Sequence, residues 1–288
     1  MAQHPDVRGF FDPATHTITY LVSDPATGMA AIIDPVLDYD PATARTSTGS
    51  VDQVMQALRD AGLTLALVLE THAHADHLTA ADHLREAEGV EIGIGDQITR
   101  VQTTFAPLFN ADDVTPDGQV FDHLYGDGDV FALGSLSVEV IHTPGHTPAC
   151  VSYRIGDAVF TGDTLFMPDY GTARTDFPGG DARTLYRSIQ RLFALPDETR
   201  VFVGHDYLPE GRADYRFETT VAAQRDGNIH VGAGASEAAF VAMREARDAT
   251  LKAPALILPS LQVNIRAGAL PPADTDGRRY LRMPLNLL

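Results

Sequence analysis

Apolar residues fall along this chain in short, strand-length groups, broken by turns rich in Gly and Pro and separated by stretches of helical spacing. Residues 17–22 (TITYLV) predict a strand, and 29–34 (MAAIID) a second that pairs with it as a hairpin across a Pro/Gly turn. Pro35 has no N–H for the ladder and stops the second strand. Ser50 and Gln53 have the spacing of a capping box; Val51, Val54, Met55 and Leu58 then share one helical face, and Gly62 closes the helix. Residues 65–69 read as a buried strand ending at Glu70 and Thr71. Strand, helix, strand in that order predicts an α/β layer.

The pattern then recurs. Residues 130–133, 136–142, 150–155 and 158–161 predict successive short strands. A helix over 181–194 follows, with Leu185, Ile189, Leu192 and Phe193 inward, and then a strand over 200–203. Two segments stand outside this plan. Residues 97–110 have Ile98, Val101, Phe105, Leu108 and Phe109 at helical spacing, although Pro107 weakens the end. The C-terminal part predicts a helix near 236–251, a half-buried strand over 261–266 (LQVNIR), and a packed apolar tail over 280–288. The expected organisation is one domain over 1–288, with a helical insertion near 97–110 and a C-terminal extension over 213–288.

Composition narrows the function. The longest apolar stretches, such as 65–69 and 253–258, fall far short of a membrane span, so none is expected. The net charge of −18 opposes binding to nucleic acid or to anionic membranes. A few local arginines can still admit a small anion to one cleft. Cys150 is the sole cysteine, so no internal disulfide forms, and its apolar strand context makes it a small core residue rather than a nucleophile. The first residues lack a basic segment followed by an apolar one, and the expected setting is soluble and cytoplasmic.

The chemistry concentrates in Thr71-His72-Ala73-His74-Ala75-Asp76-His77, directly after a predicted buried strand. One histidine in a loop is most often a surface residue. Four potential ligands in six residues are not, because a strand end followed by a loop can aim them at one point. His146 in a Thr-Pro-Gly-His-Thr-Pro turn, Asp163 in Thr-Gly-Asp-Thr and His205 in Gly-His-Asp-Tyr each follow an apolar strand, so all can gather at one edge of a sheet stack. Gly145 and Gly162 suit turns that no β-carbon could accept. Gly93-Ile94-Gly95 is too short for a dinucleotide fingerprint, and His83 and His142 receive no role.

This ordered set resembles the metallo-β-lactamase superfamily over residues 17–207. The resemblance implies an αββα sandwich of α/β class, with a metal site at the rim of the two sheets. It implies one site of His72, His74 and His146 and another of Asp76, His77 and His205, with Asp163 between them. The superfamily holds both hydrolases and oxidoreductases. A dinuclear zinc hydrolase would use the whole set, activating a bridging water. A mononuclear iron site would use two histidines and one carboxylate, leaving one face open.

The segment Gly171-Thr172-Ala173-Arg174-Thr175-Asp176-Phe177, with Thr184-Leu185-Tyr186 and His205-Asp206-Tyr207, resembles the persulfide dioxygenases of that superfamily. The likeness to bacterial type II members and β-lactamase-hydrolase-like proteins extends through 179–187 and the tail motif 258–264. Two departures from the shorter, mitochondrial-type members are a longer segment before His146 and a longer C-terminal extension.

What the resemblance implies is one Fe(II) per chain on His72, His146 and Asp163. His74, Asp76, His77 and His205 would orient those ligands or hold a second metal, and Asp76, His205 and Tyr207 would serve catalysis. The implied reaction takes glutathione persulfide, or a similar low-molecular-weight persulfide, with O₂ and water to sulfite and glutathione. Arg174 is a candidate for binding the substrate carboxylate, equally well read as a salt bridge to Asp176. Tyr207 is a candidate hydrogen-bond donor in the site, or a packed ring beside it. Arg183 and Arg266 could add positive potential for an anionic thiol, with an ordinary surface role the favoured reading of both. A homodimer is expected by the same resemblance. The rival is a zinc thioesterase of the glyoxalase II type, or a lactonase. A persulfide sensor without turnover is a third reading, disfavoured by the intact ligand set.

Overall fold

The computed structural model describes residues 4–286. Its seven α-helices among the described residues are α1 (Gly49–Asp60), α2 (Ala81–Glu88), α3 (Ile98–Leu108), α4 (Ala182–Phe193), α5 (Val221–Gly227), α6 (Glu237–Asp248) and α7 (Ile257–Asn264). Two six-stranded sheets and a small three-stranded one (Arg45–Ser47, Val36–Asp40, Leu78–Thr79) carry the strands. In the first, Asp6–Phe11, Ile18–Ser23 and Met29–Ile33 form an antiparallel meander; Thr64–Leu69, Glu91–Gly95 and His123–Tyr125 then add in parallel. In the second, Val130–Leu133, Leu136–His142, Val151–Ile155 and Ala158–Phe160 form the meander. Arg200–Phe202 joins in parallel after α4, and Glu218–Thr220 closes the edge.

Side-chain alternation makes these sheets into layers. Ile18, Tyr20, Val22, Ala31, Ile33, Leu67 and Leu69 pack against Val138, Val140, Tyr153, Ile155, Phe160 and Phe202 between the sheets. The opposite faces of the same strands carry Leu21, Ala30, Ile32, Val68 and Ile92, covered by α1, α2, α3 and α7. On the far side, Ile141, Val159 and Val201 are covered by Leu185, Ile189 and Leu192 of α4 and Phe240 of α6. Strands buried on both faces read as continuous apolar runs. The result is the αββα sandwich expected from the sequence.

Four local expectations are corrected. The Ser50/Gln53 capping box does not form. The helix begins at Gly49 with Thr48 as N-cap, and the Asp38 carboxylate accepts the Ser50 N–H at 3.1 Å instead. Residues 261–266 are not a strand. They lie in and just after α7, whose C-terminal half is buried on every side, so the helical stripe that would have marked it is absent. The tail is not packed as a unit: Leu281 rests on the core, while Tyr280, Met283 and Leu285 are exposed; Leu287 and Leu288 lie outside the described residues. Arg266 is no surface residue, since it is 7% exposed and paired with Asp113 at 2.7 Å. Arg183 does lie at the surface, bonded to Glu237. Among the described residues no helix is long and apolar enough to cross a membrane.

Candidate metal centre

The strand Thr64–Leu69 delivers the chain to the rim, where Glu70 and residues 71–77 turn across the ends of both sheets. The turn is fixed from the neighbouring strand. Asp34, at φ +51° just past Met29–Ile33, accepts the Thr71 N–H at 2.7 Å and the Thr71 hydroxyl at 2.8 Å. Gly162 (φ +48°) lies so close to the Thr71 side chain that a β-carbon would collide with it. Gly145, at φ +136°, presses on the backbone of Leu185 and swings His146 toward the same rim. A β-carbon on Gly204 would lie 2.7 Å from Asp163 Oδ1. Each glycine therefore gives room to a neighbour of the centre.

Hydrogen bonds on the outer ring nitrogens fix which inner ones are free. His146 Nδ1 lies 2.8 Å from the Arg174 carbonyl and His77 Nδ1 3.1 Å from the Leu78 carbonyl. A carbonyl only accepts, so both Nδ1 atoms carry the proton. The Thr71 hydroxyl donates to Asp34, so it accepts from His72 Nδ1 at 3.0 Å. In each ring Nε2 is left with a lone pair. His72 Nε2, His77 Nε2, His205 Nε2, Asp76 Oδ2 and Asp163 Oδ1 are all buried without a hydrogen-bond partner. Buried acceptors in such a cluster fit a cation, which satisfies all of them at once. Burial and the surrounding imidazoles hold His72 well below the ordinary histidine value and push His77 down to about 4, keeping both neutral as ligands must be.

The ligand atoms fall into overlapping groups. Those of His72, His146 and Asp163 lie within 4.8 Å of one another, as do those of His74, Asp76 and His205. His205 Nε2 is 3.2 Å from Asp76 and 3.3 Å from Asp163, bridging the two groups. His74 is anchored through the other ring nitrogen, and its Nδ1 is buried without a hydrogen-bond partner. Its Nε2 faces Asp34 at 3.0 Å and Glu70 at 3.4 Å. Burial would depress this imidazole, but the Asp34 and Glu70 carboxylates raise it well above its ordinary value. Burial pushes Glu70 up to about 7 against the pull of His74. Asp34 and Glu70 carried no sequence signal beyond ending a predicted strand.

Fold and rim chemistry agree with the comparisons. The metallo-beta-lactamase superfamily description matches residues 14–205. The chain belongs to the metallo-β-lactamase superfamily. It is 53% identical over 293 residues to a probable metallo-hydrolase of Burkholderia pseudomallei, covering 98% of this chain and 99% of that one. It is 50% identical to a beta-lactamase hydrolase-like protein of Xylella fastidiosa, covering 99% of this chain but 66% of that longer one. Over 204 residues it is 34% identical to the mitochondrial persulfide dioxygenase ETHE1 of Homo sapiens, covering 70% of this chain and 68% of that one. Among solved structures, ETHE1 from Myxococcus xanthus superposes with a TM-score of 0.73 at 35% identity, covering 92% of this chain and 100% of that one. The buried His/Asp cluster is thus the metal-binding centre of a superfamily enzyme.

A cavity of about 350 Å³ opens beside the centre, lined by Asp76, His146 and Asp163 at its floor and by Phe166, Tyr170, Phe177 and Tyr207 on its walls. That volume suits a small molecule. Arg174 also lines it, but its guanidinium makes a bidentate pair with Asp176, both bonds 2.6 Å, and donates to the Lys252 carbonyl at 2.6 Å. Of its two expected roles, the structure records the salt bridge. Tyr207 lines the cavity with its ring against His205, centroids 5.4 Å apart. Burial, then Asp76 and Asp163, keeps it a phenol far above the usual range, so it can act as a donor. Sequence reasoning missed Arg247 of α6, which lines the mouth and has no ion pair among the described residues. Cys150 is buried and pushed up to about 12 by burial, which suits a core residue.

Proposed function

We propose that the protein is a mononuclear iron persulfide dioxygenase that converts glutathione persulfide, O₂ and water to glutathione and sulfite. The observation that carries this reading is the convergence of His72, His146 and Asp163, whose ligand atoms lie within 4.8 Å of one another beside the cavity that His146 and Asp163 line. His74 anchors Nε2 on Asp34 and Glu70, with Nδ1 buried and without a hydrogen-bond partner. Two imidazoles and one carboxylate are the donor set that suits iron(II) with an open face. The likeness to proteins named persulfide dioxygenase supports the same choice.

When bound, iron(II) would supply the redox chemistry that lets dioxygen react with a sulfur anion. The chain's own residues would do the rest. His146 is held in its metal-binding tautomer by the Arg174 carbonyl. Phe166, Tyr170 and Phe177 line the cavity with apolar surface that limits water. The Tyr207 phenol, kept protonated, would donate a hydrogen bond to substrate or oxygen, and Arg247 would attract an anionic thiol at the mouth. Arg174 would shape the wall through Asp176. Asp76, His77 and His205 would orient the ligands.

A second reading is a dinuclear zinc hydrolase of the glyoxalase II type. The His74, Asp76 and His205 group and the metallo-hydrolase name of the Burkholderia relative favour it. The test is an oxygen electrode with the iron-loaded protein. Glutathione persulfide should drive O₂ uptake with one sulfite formed per O₂ consumed. Thioester cleavage by zinc-loaded protein, without O₂ uptake by the iron form, would decide for the hydrolase.

A further inference from the structure

The ligand loop is held from behind by a residue nearly two hundred positions away in sequence. Asn264, 3% exposed at the end of α7, donates from Nδ2 to the carbonyl oxygens of His74 and His77, each at 2.8 Å. Its Oδ1 accepts the Thr79 N–H at 2.9 Å. The amide has one orientation only, since two carbonyls demand the NH₂ and an N–H demands the oxygen. Thr79 in turn donates its hydroxyl to Glu70, whose other carboxylate oxygen faces His74. A continuous run of buried polar contacts therefore joins α7 to the metal centre.

The helix that carries Asn264 is itself anchored. Gln102 of α3 donates to the Ile265 carbonyl at 3.0 Å and accepts the Gly118 N–H at 3.0 Å. Gly268, at φ +95°, brings the chain after α7 so close to the start of α2 that a β-carbon would sit 2.8 Å from the Asp82 nitrogen. The insertion and the C-terminal extension thus meet behind the loop.

We infer that Asn264 is a positioning residue of the metal centre: its single amide sets the backbone at His74 and His77, and so the course of the 72–77 loop that places His72 in the ligand set and His74, Asp76 and His77 around it. Without it two buried carbonyls lose their donor, and the loop must shift to find another. The inference rests on metal binding alone and is independent of the reaction the centre performs.

The test titrates Co²⁺ into metal-free wild type, Asn264→Ala, Asn264→Asp and Gln262→Ala, reading affinity, visible bands and apoprotein melting. Gln262 is the control: it is buried on the same helix, but its bonds run to the Leu258 and Arg282 carbonyls, away from the loop. Both Asn264 variants should bind Co²⁺ tenfold or more weakly, the effect expected of a group that orients ligands, with altered bands. Gln262→Ala should lower the melting temperature yet keep affinity within about twofold and the spectrum unchanged. Unchanged affinity and bands in the Asn264 variants, or equal weakening in Gln262→Ala, would overturn the inference. So would failure of both Asn264 variants to fold while Gln262→Ala folds, since the amide would then serve the fold instead of the centre.

Discussion

Each imidazole of the centre is set by what its far nitrogen touches. His146 and His77 donate to backbone carbonyls, His72 to a hydroxyl whose own proton is committed to Asp34. That leaves lone pairs pointing inward before any cation arrives. Asp163→Ala removes a carboxylate from the proposed triad, so iron and O₂ uptake should vanish together. His205→Ala should abolish most activity and retain the iron, read by metal analysis on the same samples. Loss of iron from His205→Ala would move His205 into the ligand set. The histidines and aspartates of the rim were legible because their spacing follows strand ends. Asp34, Glu70 and Arg247 were not, since a single charged residue at a strand end or on a helix face carries no pattern. Their partners come from elsewhere in the chain.

Elements were legible wherever one face meets solvent. The helix α4 and the strands Val130–Leu133 and Leu136–His142 fall where the periodicity put them. The helix α7 did not, because apolar residues interleaved with buried Gln262 and Asn264 mimic strand alternation, although each polar side chain is satisfied inside. The Ser50/Gln53 signal failed for a tertiary reason, the Asp38 carboxylate occupying that helix end.

Elements of the C-terminal extension also shape the cavity wall. Asp248 of α6 binds buried Arg244 at 2.7 Å and accepts the Thr175 N–H at 2.8 Å, while His230, between α5 and α6, accepts the Thr172 N–H at 3.0 Å. Burial, then Arg244 and Arg247, pushes His230 down to about 4. An unfolded histidine titrates near 6.5, so between these values the unfolded chain binds more protons and stability falls as pH drops. Melting temperature should decline from pH 6.5 to 4, and the decline should be shallower in His230→Gln. Equal slopes would remove His230 from the account.

At the scale of the molecule, two meanders, one extended by three parallel strands and the other by a parallel and an antiparallel strand, bring four loops to one rim, and the strand, helix, strand repeat in the sequence anticipated that layering. The net charge of −18 opposes the approach of anions, so the proposed anionic substrate would depend on local cations such as Arg247 beside the cavity. The whole proposal turns on how many cations this rim holds when the enzyme works. The most direct measurement is the iron content per chain of anaerobically loaded protein, taken alongside its O₂ uptake with glutathione persulfide. One iron per chain at full uptake is the predicted result. Activity that rises only as a second metal ion binds, or full occupancy by two zinc ions with no O₂ consumed, would contradict it.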